Sequence, residues 1–133
     1  MEKGHLVHLV LDANEENPFF RAPIGPNPKH IIDIGAGQGE WAIDVAERFP
    51  SAQVLGIDLF PPPQGWTPPN CTFEVDDANM PWNRSQKFDL VHLRWMLGAF
   101  TKQQWTEVYK QAYENLAPGG WIEHLEPSLV NSW

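Results

Sequence analysis

The sequence holds one cysteine, Cys71, among 133 residues. No internal disulfide can form, and a reducing compartment is expected. Cys71 reads as a small half-buried residue that opens a strand, not as a nucleophile. Cationic side chains are also scarce. Nine Lys and Arg stand against 17 Asp and Glu, a formal net charge of −8, and the nine are scattered. A phosphate backbone would be repelled, so no nucleic acid partner is expected. No apolar run reaches the length of a membrane span. The first residues, MEKGHLVHLVLDANEE, lack the long apolar core of a signal peptide. These absences together predict an intracellular protein, of cytoplasm or nucleus, without membrane attachment. What is present is 42% hydrophobic residues and seven tryptophans, enough for one core in one globular domain.

Residues 2–12 read as a short helix with Leu6, Val7, Leu9 and Val10 on its apolar side. His5 and His8 share a face of that helix, but a third ligand is lacking and no metal is expected. Pro18, Pro23, Pro26 and Pro28 make the following stretch a connecting segment. Residues 1–28 are thus an N-terminal helix and linker, and 29–133 form the domain proper. There the pattern alternates. Strands are expected at 29–34, 52–59, 71–75, 88–93 and 121–126. Helices are expected at 39–49, where Trp41, Val45 and Phe49 recur every fourth residue, and at 101–116. Pro50 stops the first helix, and Thr101 with Gln104 forms a capping box for the second. Between the second and third strands lies only FPPPQGWTPPN, a stiff loop. Short apolar strands alternating with helices predict an α/β fold with a mostly parallel sheet and helices on both faces.

In such a sheet, ligands bind beyond the carboxyl ends of the strands. The first strand ends in DIGAGQGEW, which places Gly35, Gly37 and Gly39 between that strand and a helix. Glycine lets a ligand lie against bare backbone. A dinucleotide site spaces its glycines G-x-G-x-x-G to seat a pyrophosphate. Here the third glycine comes one residue early, and Asp33 precedes the first. A carboxylate disfavours a pyrophosphate and favours a cation. The loop is therefore expected to take a nucleoside with a positive end, which describes S-adenosylmethionine. A nicotinamide dehydrogenase is disfavoured by the same spacing.

The run of motifs DIGAGQGEWAIDVAERFP, VLGIDLF, FEVDDANMPW, FDLVHLRWMLG and NLAPGGWIEHLE resembles the class I S-adenosylmethionine-dependent methyltransferases over residues 29–126. Their combination is closest to the fungal LaeA-like methyltransferases of secondary metabolism. The resemblance implies a Rossmann-like three-layer sandwich with about five strands in the order 3-2-1-4-5. It implies a methyltransferase that takes S-adenosylmethionine, releases S-adenosylhomocysteine and acts on an unidentified acceptor, a small molecule or a protein. The cofactor-binding set it implies is Asp33, Gly35, Ala36, Gly37, Gly39, Asp58, Leu59, Asp77, Ala78 and Leu93. Within it, Asp58 takes the ribose hydroxyls and Asp77 the adenine amino group. Asp58 also stands at a strand end where a ribose-binding acid is expected. Asp76 and Asp77 are adjacent, so only one faces the site.

Methyl transfer needs alignment more than acid–base machinery. Should the acceptor need a base, His92, Arg94, His124 and Glu126 are the catalytic candidates near the last two strand ends. Trp95, Met96 and Phe100 are either pocket wall or core. The family pattern continues with a further helix and an antiparallel hairpin, which have no room here. An exposed edge on the fifth strand is therefore expected, covered by the tail PSLVNSW, a second copy or a regulatory protein partner. The alternative reading is a non-catalytic cofactor- or partner-binding module on a truncated methyltransferase fold.

Overall fold

The computed structural model of the protein describes residues 4–11, 19–62, 65–96 and 98–127. Five strands fall where the hydrophobic pattern puts them, with a sixth ahead of them. They are β1 (His5–Leu11), β2 (His30–Ile34), β3 (Gln53–Asp58), β4 (Cys71–Val75), β5 (Phe88–Arg94) and β6 (Leu116–Pro127). Helix α1 (Glu40–Arg48) follows β2, and α2 (Lys102–Glu114) follows β5. Every pairing is parallel, in the order β1-β6-β5-β2-β3-β4. The last five of these, in their own order along the chain, run 3-2-1-4-5, as expected.

The N-terminal segment departs from the sequence reading. Residues 5–11 are a strand, not a helix, and pair with β6 from Trp121 to Pro127. HLVHLVL also suits a strand, because β-branched and apolar residues fit a pleated surface. An open row of backbone donors and acceptors on β6 decides between the two. The edge that a second copy or a regulatory partner was expected to cover is thus covered by the chain itself. Residues 128–133, most of the tail proposed for the same role, lie outside the described residues.

Period-two alternation sends successive residues of each strand to opposite faces. Ile32 and Ile34, Leu55 and Ile57, Val91 and Leu93, and Ile122 face α2, where Val108 and Ala112 close the core. Ile31, Val54, Cys71 and Leu90 face α1 and the segment 19–24. Full burial of an Ile or Leu side chain contributes about 1.5–3 kcal/mol. The α1 layer is pinned by polar groups as well. Asn70 donates through Nδ2 to the carbonyls of Ala46, Phe49 and Ala52, which satisfies the end of α1. Glu123, fully buried, accepts from the amides of Arg21 and Ala22 and so holds the connecting segment against the sheet.

The α2 cap is as expected: Thr101 accepts from the Gln104 amide, and the Gln104 side chain accepts from the Thr101 amide. The last strand is longer than its motif. It starts at Leu116 opposite Phe88, then shifts register so that Trp121 pairs with Leu90. Gly120 sits at the shift, where a Cβ would lie 2.7 Å from the Phe88 carbonyl oxygen.

Candidate functional site

The site is built at the carboxyl end of β2. Gly35, Gly37 and Gly39 all have positive φ, at 74°, 58° and 82°. The amides of Gly35 and Ala36 both donate to the Ile57 carbonyl at 2.9 Å, so the loop folds back over β3. A Cβ on Gly35 would lie 2.5 Å from Met96 Sδ, whereas one on Gly37 would meet nothing within 4 Å. A side chain on the first glycine would displace the Met96 thioether and one on the second would enter open space, while the positive φ of both favours glycine. Gly39 ends the loop as the N-cap of α1, with no side chain capping the helix.

Asp58, the last residue of β3, reaches across this loop. Its Oδ2 accepts from the Gly37 amide at 2.8 Å and its Oδ1 from the Phe60 amide at 3.1 Å. Beside it opens a cavity of about 500 Å³, bordered by Gly35, Asp58, Leu59, Phe60, Trp95 and Met96. That volume is within the range of small-molecule pockets. Phe100 also borders it, so Trp95, Met96 and Phe100 are pocket wall, although Met96 and Phe100 back onto the core too. Trp95 is a non-glycine residue with φ of 55°, a strained conformation typical of functional sites.

Other expected residues lie around this cavity rather than on it. Leu93 and Ala78 are buried in the α2-side core, and neither side chain borders the cavity. Strand parity turns Leu93 inward, whereas Ala78 lies in the turn after β4 and packs into the same core. Asp77 is half-buried and accepts through Oδ1 from the backbone amide and the side chain of Asn79. Asp76 is gripped by Arg84, which also holds Glu74 at 3.0 Å. That leaves Asp77 as the acid of the pair free of a salt bridge among the described residues.

Three of the four catalytic candidates, His92, His124 and Glu126, sit in two buried networks, and Arg94 belongs to neither. On the α1 face, His92 Nδ1 lies 2.9 Å from Asp33 Oδ1, and both residues are buried. The Trp41 indole stacks flat on the imidazole, with centroids 3.6 Å apart. On the α2 face, His124 Nε2 lies 2.6 Å from Glu126 Oε1, and its Nδ1 meets the Tyr109 hydroxyl. Burial first, then the Glu126 carboxylate, push the Tyr109 phenol from 10.0 up to about 12. The hydroxyl therefore stays protonated and donates to Nδ1, which makes Nε2–H the donor to Glu126. Glu126 Oε1 also accepts from the Met96 amide at 3.0 Å, and the Trp95 amide donates to the Leu125 carbonyl at 2.9 Å. The strained turn of the pocket wall is held by β6 through these two bonds. None of His92, Arg94, His124 and Glu126 borders the cavity.

These networks predict alkaline sensitivity. Burial, then Asp33, push the Cys71 thiol from 9.0 up to about 11. The folded state binds these protons more tightly than the unfolded one, for Cys71 and Tyr109 alike. Their stabilising contribution is complete below about pH 9 and is lost as pH rises through 11 to 12. Urea midpoints should fall between pH 8.5 and 11, and the fall should be shallower in Cys71→Ala/Tyr109→Phe. Equal slopes in both proteins would rule this out.

A family model described as a methyltransferase domain matches residues 6–132. The chain belongs to this methyltransferase family. A methyltransferase of Aspergillus terreus, pytC, is 36% identical over 122 residues, which cover 91% of this chain and 37% of that protein. The secondary metabolism regulator LAE1 of Cochliobolus heterostrophus is 41% identical over 131 residues, covering 94% of this chain and 42% of that protein. The methyltransferase-family chain thus spans about two fifths of the length of these relatives. Among solved structures, a TehB-like S-adenosylmethionine-dependent methyltransferase of Corynebacterium glutamicum superposes with a TM-score of 0.60 at 21% identity, over 74% of this chain and 56% of that one. PKMT2 of Rickettsia typhi, in complex with S-adenosylhomocysteine, superposes with a TM-score of 0.59 at 19% identity, over 71% of this chain and 20% of that one. These neighbours share the Rossmann-like fold. Among the described residues no helix is long and apolar enough to cross a membrane.

Proposed function

We propose that this chain binds S-adenosylmethionine and forms the cofactor-holding part of a methyltransferase that acts in fungal secondary metabolism or its regulation. The observation that carries the reading is Asp58, whose carboxylate stands at the mouth of the cavity and already organises the glycine loop through the Gly37 amide. A carboxylate at that point suits a ribose diol, because it accepts two hydrogen bonds at once. Gly37 leaves open space above the backbone for a nucleoside. Leu59 and Phe60, both exposed at the rim, offer apolar surface to a base; Asp77, next to the Asp76 amide that donates to the Asp58 carbonyl, is the acid we assign to its amino group.

Asp33 acts through its field. Its carboxylate is tied to His92 beneath the loop, where its charge favours the ligand's cationic end without direct contact. The cofactor brings a methyl group already activated on a sulfonium. The chain's own task is to fix that ligand and the pocket wall. Trp95 and Met96, locked by Leu125 and Glu126, orient whatever enters beside them and exclude water. Because His92, His124 and Glu126 are buried and already hydrogen-bonded, to Asp33 or to each other, the reaction proceeds by alignment, and an acceptor that is nucleophilic without deprotonation suits it best.

Calorimetry tests the reading. S-adenosylhomocysteine should bind and NAD should not. A folded chain with no response to S-adenosylhomocysteine would overturn it.

A further inference from the structure

Ile34 pairs in register with Ile57 on one side and with Leu93 on the other. The next residue of each strand therefore lies level with Gly35: Asp58 on the β3 flank and Arg94 on the β5 flank. Both flanking residues share the face of the sheet that carries α1, since Asp58 follows Val54 and Gly56, and Arg94 follows Leu90 and His92. Two strand spacings, about 10 Å, separate their backbones, with the glycine loop between them. An acid stands on one flank and a cation on the other.

The cation has no anionic partner among the described residues, and the Arg94 Nε is buried with no hydrogen-bond partner. A buried, unpaired donor on a charged group is rare and calls for an explanation. The guanidinium lies over the Trp95 ring, 4.2 Å from its centroid. Trp95 borders the cavity and Arg94 does not, so the contact fixes the guanidinium plane just behind the pocket wall and leaves the donors on its edge to the end of a ligand that extends past that wall. His92, two residues earlier on the same face, also has a buried ring nitrogen, Nε2, without a partner. Two buried nitrogens without partners, the Arg94 Nε donor and the His92 Nε2 acceptor, thus lie on the side of the glycine loop away from Asp58.

We infer that Arg94 receives the carboxylate of the cofactor's amino-acid end through the edge of its guanidinium. The inference rests on the reading of the site given above and deepens it. The ligand has a diol at one end and a carboxylate at the other. The chain sets an acceptor, Asp58, and a fork of donors, Arg94, on opposite flanks of the bare loop that the ligand crosses. A guanidinium edge presents two parallel N–H groups, the pattern a carboxylate accepts. Arg94 is thereby a binding residue and not a base, which its always-protonated guanidinium excludes.

Three probes separate this role from a structural one: S-adenosylmethionine, its decarboxylated analogue and methylthioadenosine, each titrated by calorimetry. The wild-type chain should bind S-adenosylmethionine about ten- to a hundredfold more tightly than the decarboxylated analogue. Arg94→Met should erase that preference and leave the affinities for the decarboxylated analogue and methylthioadenosine unchanged. Arg94→Lys, which keeps the charge without the fork, should fall between. Equal weakening of all three probes, or of none, would overturn the inference. Should Arg94→Met fail to fold, the wild-type preference and its reduction in Arg94→Lys decide the question. A wild-type chain that binds none of the three overturns the site's reading itself, whereas one that binds all three equally overturns only the role of Arg94.

Discussion

Asp58→Ala is expected to lower the affinity for S-adenosylhomocysteine by about a hundredfold or more. Hydrogen bonds to a charged group contribute about 1.5–3 kcal/mol each, and a ribose diol makes two of them with one carboxylate. A decade of affinity corresponds to about 1.4 kcal/mol. The same carboxylate accepts from the amides of Gly37 and Phe60, so its loss also frees the loop that lies against the ligand. Asp58→Asn keeps one acceptor and should lose less. Calorimetry gives the affinities, and the melting temperature of the ligand-free variant shows whether the fold survives. A folded Asp58→Ala protein that binds as the parent does would remove Asp58 from the site.

His92→Leu should destabilise the fold by about 3–5 kcal/mol. The substitution leaves the Asp33 carboxylate buried without its imidazole partner, and breaking a buried pair from one side costs about that much. It also removes the ring that Trp41 covers. Replacing both partners by neutral residues relieves most of the penalty, so Asp33→Asn/His92→Leu should be more stable than His92→Leu alone. Urea unfolding of the two single variants and the double variant gives the coupling directly. Additive losses would mean that the two side chains stabilise the fold independently.

Parallel strands buried on both faces read as short apolar runs, which is why β2, β3 and β5 were legible within a residue or so of their ends. The capping box at Thr101 and Gln104 was legible because its chemistry is local. The strand β1 was not, since HLVHLVL fits either periodicity and its partner stands more than a hundred residues away. The site was legible in the same proportion. Gly35 and Asp58 follow from where strands end. Leu93, near the end of β5, and Ala78, in the turn after β4, pack into the core, and the place of a residue along the chain does not reveal which way its side chain points. The links Asp33–His92 and Tyr109–His124–Glu126 had no signal in the order of residues. Only the register of β2 against β5, and the packing of α2 on β6, bring those groups together.

The pairing of β1 with β6 also orders events in time. His5 meets Trp121 across 116 intervening steps of chain. During synthesis β1 precedes the other five described strands, yet it has nothing in this sheet to pair with until β6 has been made. The first of the six in chain order thus depends on the last of them. Its exposed backbone must wait for that partner, and the entropy of closing so long a loop falls on this pairing.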